Sequence, residues 1–354
     1  MKRWEYRNIH LLLAPVYLRM VAWCVRHRVT PFDLLKANYA LDHGGATFAS
    51  KYDIQMAFPQ DSFPPTMRLD RGDDIRKKTK LMIEFGERHG FPFILKPDIG
   101  RVGLGVTLVH DRNHVDEFLA SVTADYMAQQ YVDGPLEFGV FYIRKNGVAD
   151  IFSINSKDFP SVTGDGASSV RHLLKRHERL SGFEKLFNRS RFDHIPAAGE
   201  VVTLSVVGSH TLGCVFRDAT HLSTADLVQA IDQAVGIPGF NYGRLDVRTP
   251  SIEAFQQGDI KIIEVNGVES LATNAFDPEF SYRQGLRWFT EQFRLLVEIA
   301  AENRSAPMRQ LSLLDFARRV ADAEQEIGNI GSLLHFSPAE IEAGAQPGEH
   351  RPGG

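Results

Sequence analysis

The sequence is poor in cysteine: Cys24 and Cys214 are the two among 354 residues. Two thiols cannot build a disulfide scaffold, so a stapled extracellular mini-domain is excluded and a reducing, cytoplasmic setting is the expectation. An excess of positive charge is also missing. Forty Lys+Arg against forty-four Asp+Glu leave a formal charge of −4, which is not the electrostatic footprint of a nucleic-acid binder. No internal repeat occurs, and solenoid and collagen-like classes are excluded with it. What is present is ordinary globular composition, 43% hydrophobic and 24% charged, in a chain long enough for two or three domains.

An uninterrupted apolar run long enough to span a bilayer is lacking too. Ile9 to Val25 is mostly apolar, but His10, Pro15 and Arg19 interrupt it, and a span needs about 20 apolar residues. Lys2, Arg3 and Arg7 precede it, and Arg26, His27 and Arg28 stand where a secretory cleavage site would be. Leu12, Val16, Met20 and Trp23 recur at helical spacing, so the segment reads as an amphipathic helix. Packing on the body of the protein is the preferred role; a peripheral membrane contact through residues 9–25 is the alternative.

Turn and breaker residues divide the rest. Residues 1–50 form an N-terminal helical segment, 51–130 and 131–303 two larger units, 304–341 C-terminal helices, and 342–354 a Gly/Pro-rich tail expected to be disordered. Helices are expected near 50–58, 73–89, 224–235 and 282–300, and strands near 91–97, 106–109, 200–207, 243–247 and 261–265. Alternating apolar residues on both sides of Lys145-Asn146-Gly147 signal a hairpin. Regular βαβ alternation is missing, so the expected class is α+β.

Two clusters carry chemistry. In the first, Lys96 ends a strand and is followed by Gly100, Gly103 and Gly105 before a returning strand. A lysine there can neutralise a polyphosphate oxygen as a point charge, and glycines let backbone N–H groups approach it. The order is not the Walker pattern, whose lysine follows the glycines, nor a strand-to-helix dinucleotide fingerprint. In the second, Glu264 and Asn266 are two apart on a strand and share a face, and Asp246 lies on a strand expected beside it. Such an oxygen-rich set suits Mg²⁺ with bound phosphate. Either cluster alone is common by chance; together they point to one nucleotide.

Over residues 50 to 290 these features resemble the ATP-grasp carboxylate–amine ligases, among them D-alanine–D-alanine ligases, glutathione synthetases and the amino-acid-adding half of cyanophycin synthetase. The resemblance implies two α+β lobes clasping ATP. It puts Lys51 and Lys96 on the phosphates, Gly100 to Gly105 in a flexible loop over them, and Gln129-Gln130-Tyr131-Val132 in the hinge that grips adenine. Glu137 resembles the ribose ligand and Arg244 the arginine that steadies the transferring phosphoryl group. Asp246, Glu264 and Asn266 match the metal triad, which implies Mg²⁺, two ions in the family's manner, with Mn²⁺ as a substitute. The loop from Pro160 to Gly166 is similar to that of the glutathione- and cyanophycin-synthetase branch. Three departures stand out: Gln129 occupies a position where glutamate is common, Leu136 is an extra residue before Glu137, and the first 50 residues are too few for the usual substrate domain.

Lys157 is a further candidate for phosphate or substrate. His210, Glu269 and Ser270 are candidates for an acceptor pocket, while Cys214, in an apolar segment, reads as core. The expected activity is ATP-dependent amide formation between small-molecule or peptide carboxylates and amines through an acyl phosphate. A phosphotransferase without an amine acceptor, or an ATP-binding scaffold at a membrane, are the alternatives. No nucleic-acid partner is expected; homo-oligomerisation stays open.

Overall fold

The computed structural model describes residues 9–46, 48–100, 103–119, 124–182, 187, 192–205, 207–308 and 312–333. The expected tail at 342–354 lies outside these.

The first lobe is a four-stranded antiparallel sheet in the order β1-β4-β2-β3, from β1 (Thr66–Leu69), β2 (Phe93–Pro97), β3 (Thr107–Val109) and β4 (Tyr126–Gln130). Helix α3 (Ile75–His89) covers it. Asp74 caps that helix by accepting from the Lys77 backbone N–H at 2.8 Å. Its Met82 and Phe85 pack with Phe93 and Leu95 of β2. A short helix, α4 (Arg112–Leu119), follows β3.

The second lobe holds a five-stranded antiparallel sheet in the order β11-β10-β5-β6-β9. Its members are β5 (Leu136–Lys145), β6 (Val148–Asp158), β9 (Val215–Asp218), β10 (Tyr242–Thr249) and β11 (Lys261–Asn266). The expected hairpin joins β5 to β6, with Asn146 and Gly147 at φ of 51° and 77°. Both central residues at positive φ are what a two-residue type I′ turn demands. Period-two alternation sorts this sheet by face. Phe138, Val140, Leu245 and Val247 enter a core with Leu227 and Ile231 of α6 (Ala225–Val235), while Glu137, Arg244 and Asp246 face the other way, toward the first lobe.

On β11 the alternation is broken. Asp246 pairs with Glu264 but Val247 pairs with Ile262, so Ile263 is an extra residue without a partner in that ladder. Such a bulge re-aims side chains and leaves a backbone group free. It buries Ile262 in the core yet turns Glu264 and Asn266 to the cleft.

A small two-stranded sheet, β7 (Ser161–Thr163) with β8 (Val201–Thr203), packs on α5 (Val170–Arg176). The strand expected over 200–207 is therefore shorter than its apolar pattern suggests. Further along come α7 (Ile252–Gln256) and the long α8 (Tyr282–Glu302), which starts in a capping box made by Ser281 and Gln284.

Helix α1 (Ile9–His27) lies along α8. Leu13 and Val16 are buried beside Phe289, and Met20 and Trp23 pack near Val297 and Ala300. One face of the segment is therefore packed on the body of the protein, and the other face is exposed. Near the C-terminus α9 (Leu313–Leu333) places Ile330 in the first lobe's core and Ala323 beside Ala46 and Phe48. The expected lobe boundary at residue 51 also moves. Ala49, Ile54, Phe58 and Phe63 belong to the second lobe's core, because their apolar face meets Val265 and Phe240 rather than the first sheet.

Candidate functional site

Between the two sheets lies a cavity of about 660 Å³, within the size range of small-molecule and cofactor sites. Every residue expected at the site lines it except Gly105. At Gly105 a Cβ would meet Pro97 at 2.7 Å and Ile330 of α9 at 2.8 Å, and at Gly103 a Cβ would meet Val207 at 2.3 Å. Both have φ near +75°, at 76° for Gly103 and 74° for Gly105. The loop therefore needs glycine both for its backbone and for its fit against α9 and Val207.

Lys96, at the end of β2, is buried. Its Nζ donates to Gln129 Oε1 at 3.1 Å and to the Ile263 carbonyl at 2.8 Å, the group freed by the bulge. Neither acceptor is charged. Desolvation consequently dominates and lowers the Lys96 ammonium from 10.5 to about 8, against partial opposition from the Glu264 carboxylate. Gln129 explains part of this: a glutamate there would supply a counter-charge, and glutamine does not. The Gln129 amide is itself held by Gln55 Oε1 at 3.1 Å.

Lys51 starts helix α2 (Lys51–Met56), and Asp98 places it. The Asp98 carbonyl accepts from the Lys51 N–H at 3.0 Å, and its carboxylate accepts from Ser50 Oγ and the Tyr52 N–H, each at 2.9 Å. Lys51 Nζ donates to the Gly100 carbonyl and stands 3.7 Å from Glu264 Oε1.

On the sheet face opposite, charges alternate in sign. Asp246 is contacted by Arg244 Nε and Lys157 Nζ, each at 3.2 Å. Burial alone would raise its carboxyl, but the two cations outweigh that and hold it below the usual 3.8. Lys157 also pairs with Glu137 at 2.7 Å, and Arg248 Nε pairs with the other Glu137 oxygen at 3.1 Å. The Lys157 ammonium is raised: burial opposes the charge, but Asp246 and Glu137 more than compensate.

Glu137, expected on a ribose, is thus engaged by two cations. An ionised carboxylate has about four acceptor positions, which leaves room for a hydroxyl. Arg248 continues to the hinge, donating to the Val132 carbonyl at 3.0 Å and stacking over the Tyr131 ring at 5.1 Å. Gly208 closes over the Glu137–Lys157 pair, since a Cβ there would meet Glu137 Oε1 and Lys157 Cδ at 2.6 Å.

The donor set suits a divalent cation with phosphate. Asp246 and Glu264 sit directly opposite in register, where like charges are unfavourable without a cation between them. The Asn266 side-chain nitrogen is buried with no partner, and the two ends of an amide are interchangeable in placement. It presents a donor to a phosphate oxygen or, turned over, an acceptor to a cation. Among the described residues no group of three or more His, Cys, Asp or Glu converges. Two carboxylates and an amide are what Mg²⁺ accepts when phosphate oxygens and water complete its octahedron.

The far end of the cavity is apolar and aromatic. His210 lies between Phe216 and Phe276, each ring centroid 5.7 Å away, with Leu271 and Ile9 beyond. Ser270 Oγ donates to the Gly267 carbonyl at 2.7 Å, so its hydroxyl holds its own turn, and Glu269 is exposed at the rim. The N-terminal segment is stitched alongside. The Gly44 carbonyl accepts from the Val268 N–H at 3.1 Å, and Asn38 bonds the backbone of Asn241 and Tyr242. Cys214 is core as expected, its thiol pushed up to about 12 by burial.

Arg248 and Asp98 were not among the expected residues. Arg248 had a signal, since it continues the Arg244-x-Asp246 alternation by two residues.

No family model and no curated protein matches the chain. Similar solved structures include the bifunctional glutathione synthetase of Pasteurella multocida, 19% identical over 61% of this chain and 31% of its own, with a TM-score of 0.32. The D-alanine–D-alanine ligase of Helicobacter pylori is 13% identical over 69% of this chain and 60% of its own, at 0.37. That of Bacillus anthracis, complexed with ATP, is 15% identical over 67% and 63%, at 0.37. The chain thus spans between 31% and 63% of the lengths of these proteins. At such scores the likenesses decide nothing about chemistry; the site's own residues have to.

Proposed function

We propose that the chain is an ATP-grasp enzyme that joins a carboxylate to an amine at the expense of ATP. One observation carries the reading. Three cations, Lys51, Lys96 and Arg244, face two carboxylates and an unpartnered amide, Asp246, Glu264 and Asn266, in a single cavity under a glycine loop. In the first step a substrate carboxylate oxygen attacks the γ-phosphorus of ATP, the bond to the β-phosphate oxygen breaks, and an acyl phosphate and ADP result. In the second an amine attacks the acyl carbon, phosphate leaves, and the amine loses a proton to give the amide.

Phosphoryl transfer asks the protein for positioning and charge stabilisation rather than covalent help. Lys96 approaches from the first sheet, Lys51 from α2 and Arg244 from the second sheet, so negative charge on the transferring group is met from more than one direction. Mg²⁺ held by Asp246, Glu264 and Asn266 would screen the repulsion between the two anions. The glycine loop, resting on Val207, keeps water from the acyl phosphate.

The test is ADP release with Mg-ATP across a matrix of carboxylates and amines, followed by mass spectrometry. ADP that requires both partners, with a product one water lighter than their sum, is expected. ADP with one partner and a stable phosphorylated product would instead make the chain a phosphotransferase.

A pH dependence follows from Lys96. Only its protonated form neutralises phosphate, and burial lowers it to about 8 in the free protein. kcat/KM for ATP is therefore expected to fall as pH rises through about 8, since that quantity reports free-enzyme groups. Gln129→Glu places a carboxylate against the ammonium and should move this limb upward; an unmoved limb assigns it to another group.

A further inference from the structure

The outward face of α1 has no role in the site just described. Leu11, Leu18, Val21 and Val25 are 76%, 75%, 59% and 75% exposed. Ala14, Pro15 and Ala22 are exposed between them, so the apolar residues recur every three to four positions along one side. The opposite side is already used, with Leu13 and Val16 buried against α8. Nineteen residues of helix present this stripe over about 28 Å. By length and composition α1 could cross a bilayer, but its packing along α8 holds it parallel to the protein surface instead.

The charges on α1 itself have one sign. Residues 9–28 contain Arg19, Arg26 and Arg28 and no Asp or Glu, in a chain whose net charge is −4. On the neighbouring α8, Arg283 and Arg287 are exposed as well. An apolar face bordered by arginines is the pattern of a helix lying in the interface of an anionic bilayer, where leucine and valine enter the acyl boundary and guanidinium groups meet lipid phosphates. The tail at 334–354 is a poor alternative cover, being rich in Gly, Pro and Glu. We propose that the protein docks on an anionic membrane surface through the outward face of α1. Ile9, at the start of the helix, walls the far end of the cavity with Leu271 and Phe276, so docking brings that end of the cleft close to the headgroups.

The test is co-sedimentation of the full chain, without nucleotide, with vesicles of phosphatidylcholine alone or mixed equally with phosphatidylglycerol. Pelleting with the mixed vesicles and not with the neutral ones is expected. Leu18→Asp/Val25→Asp should cut the partition coefficient about a hundredfold, and Arg26→Glu/Arg28→Glu at least about tenfold, with loss of binding at high salt. All four positions are exposed, and an unchanged melting temperature checks that the variants fold. Failure to pellet, or equal pelleting with neutral vesicles, overturns the proposal. So does a wild-type dimer that Leu18→Asp dissolves, which would give the stripe to a second copy, or binding that appears only after removal of residues 334–354. Because no ATP is present, these outcomes are independent of the ligase reading.

Discussion

Lys96→Met is expected to lose ATP turnover by a factor of about 10²–10³, the scale of removing one preorganised charge-stabilising group, while making the protein more resistant to heat. The two effects share one cause. Lys96 is held as a cation at neutral pH in a place that offers it only the Gln129 amide oxygen and the Ile263 carbonyl. A folded-state value of about 8 against 10.5 unfolded corresponds to a cost of about 3 kcal/mol for the charge. Methionine keeps the stem volume and drops the charge, but it strands two acceptors, which returns about 1–2 kcal/mol. A net gain of about 1–2 kcal/mol is left.

The pH dependence of that gain identifies its origin. Between pH 8 and 10.5 the unfolded state binds the extra proton, so wild-type stability rises with pH across that window and the advantage of the variant shrinks. Thermal unfolding of both proteins at neutral and alkaline pH, beside an ADP-release assay, measures this. A variant less stable than wild type at neutral pH would show that Lys96 is paid for by structure rather than kept for phosphate.

How much of this site is legible in the sequence depends on how local its causes are. Strand alternation is local, so Arg244-x-Asp246 and Glu264-x-Asn266 announce a polar face without any knowledge of the fold. The glycine spacing after Lys96 and the Asn146-Gly147 turn are local as well. The bulge at Ile263 is not. Ile262-Ile263-Glu264 reads as regular strand, which would put Ile262 and Glu264 on one face, and only pairing with β10 reveals the extra residue. Nor could the sequence show that the free Ile263 carbonyl receives Lys96, or that Asp98 anchors Lys51, because both contacts join segments distant along the chain. Helix α9 is amphipathic by inspection, yet its support of Gly105 through Ile330 is a contact across more than two hundred residues.

Asp246→Asn and Glu264→Gln are expected to share one loss and differ in another. Both lie on the cleft face, opposite each other in register, and removing either charge should reduce Mg-dependent ADP release by about 10³ or more, with saturation at higher Mg²⁺ for Glu264→Gln. Their stabilities should part. Asp246 is 5% exposed and neutralises Arg244 and Lys157, so Asp246→Asn strands buried positive charge and should cost about 3 kcal/mol. The Glu264 side chain is 29% exposed and its nearest cation, Lys51, is 3.7 Å away, so Glu264→Gln should stay within about 0.5 kcal/mol of wild type. Acid separates them further. The Asp246 carboxyl is held below 3.8, so its contribution is present above that pH and is lost as pH falls beneath it. The deficit of Asp246→Asn should accordingly close under acid, where wild type loses the same charge. Equal destabilisation by both variants, unchanged in acid, would mean that Asp246 holds the sheet by its shape rather than its charge.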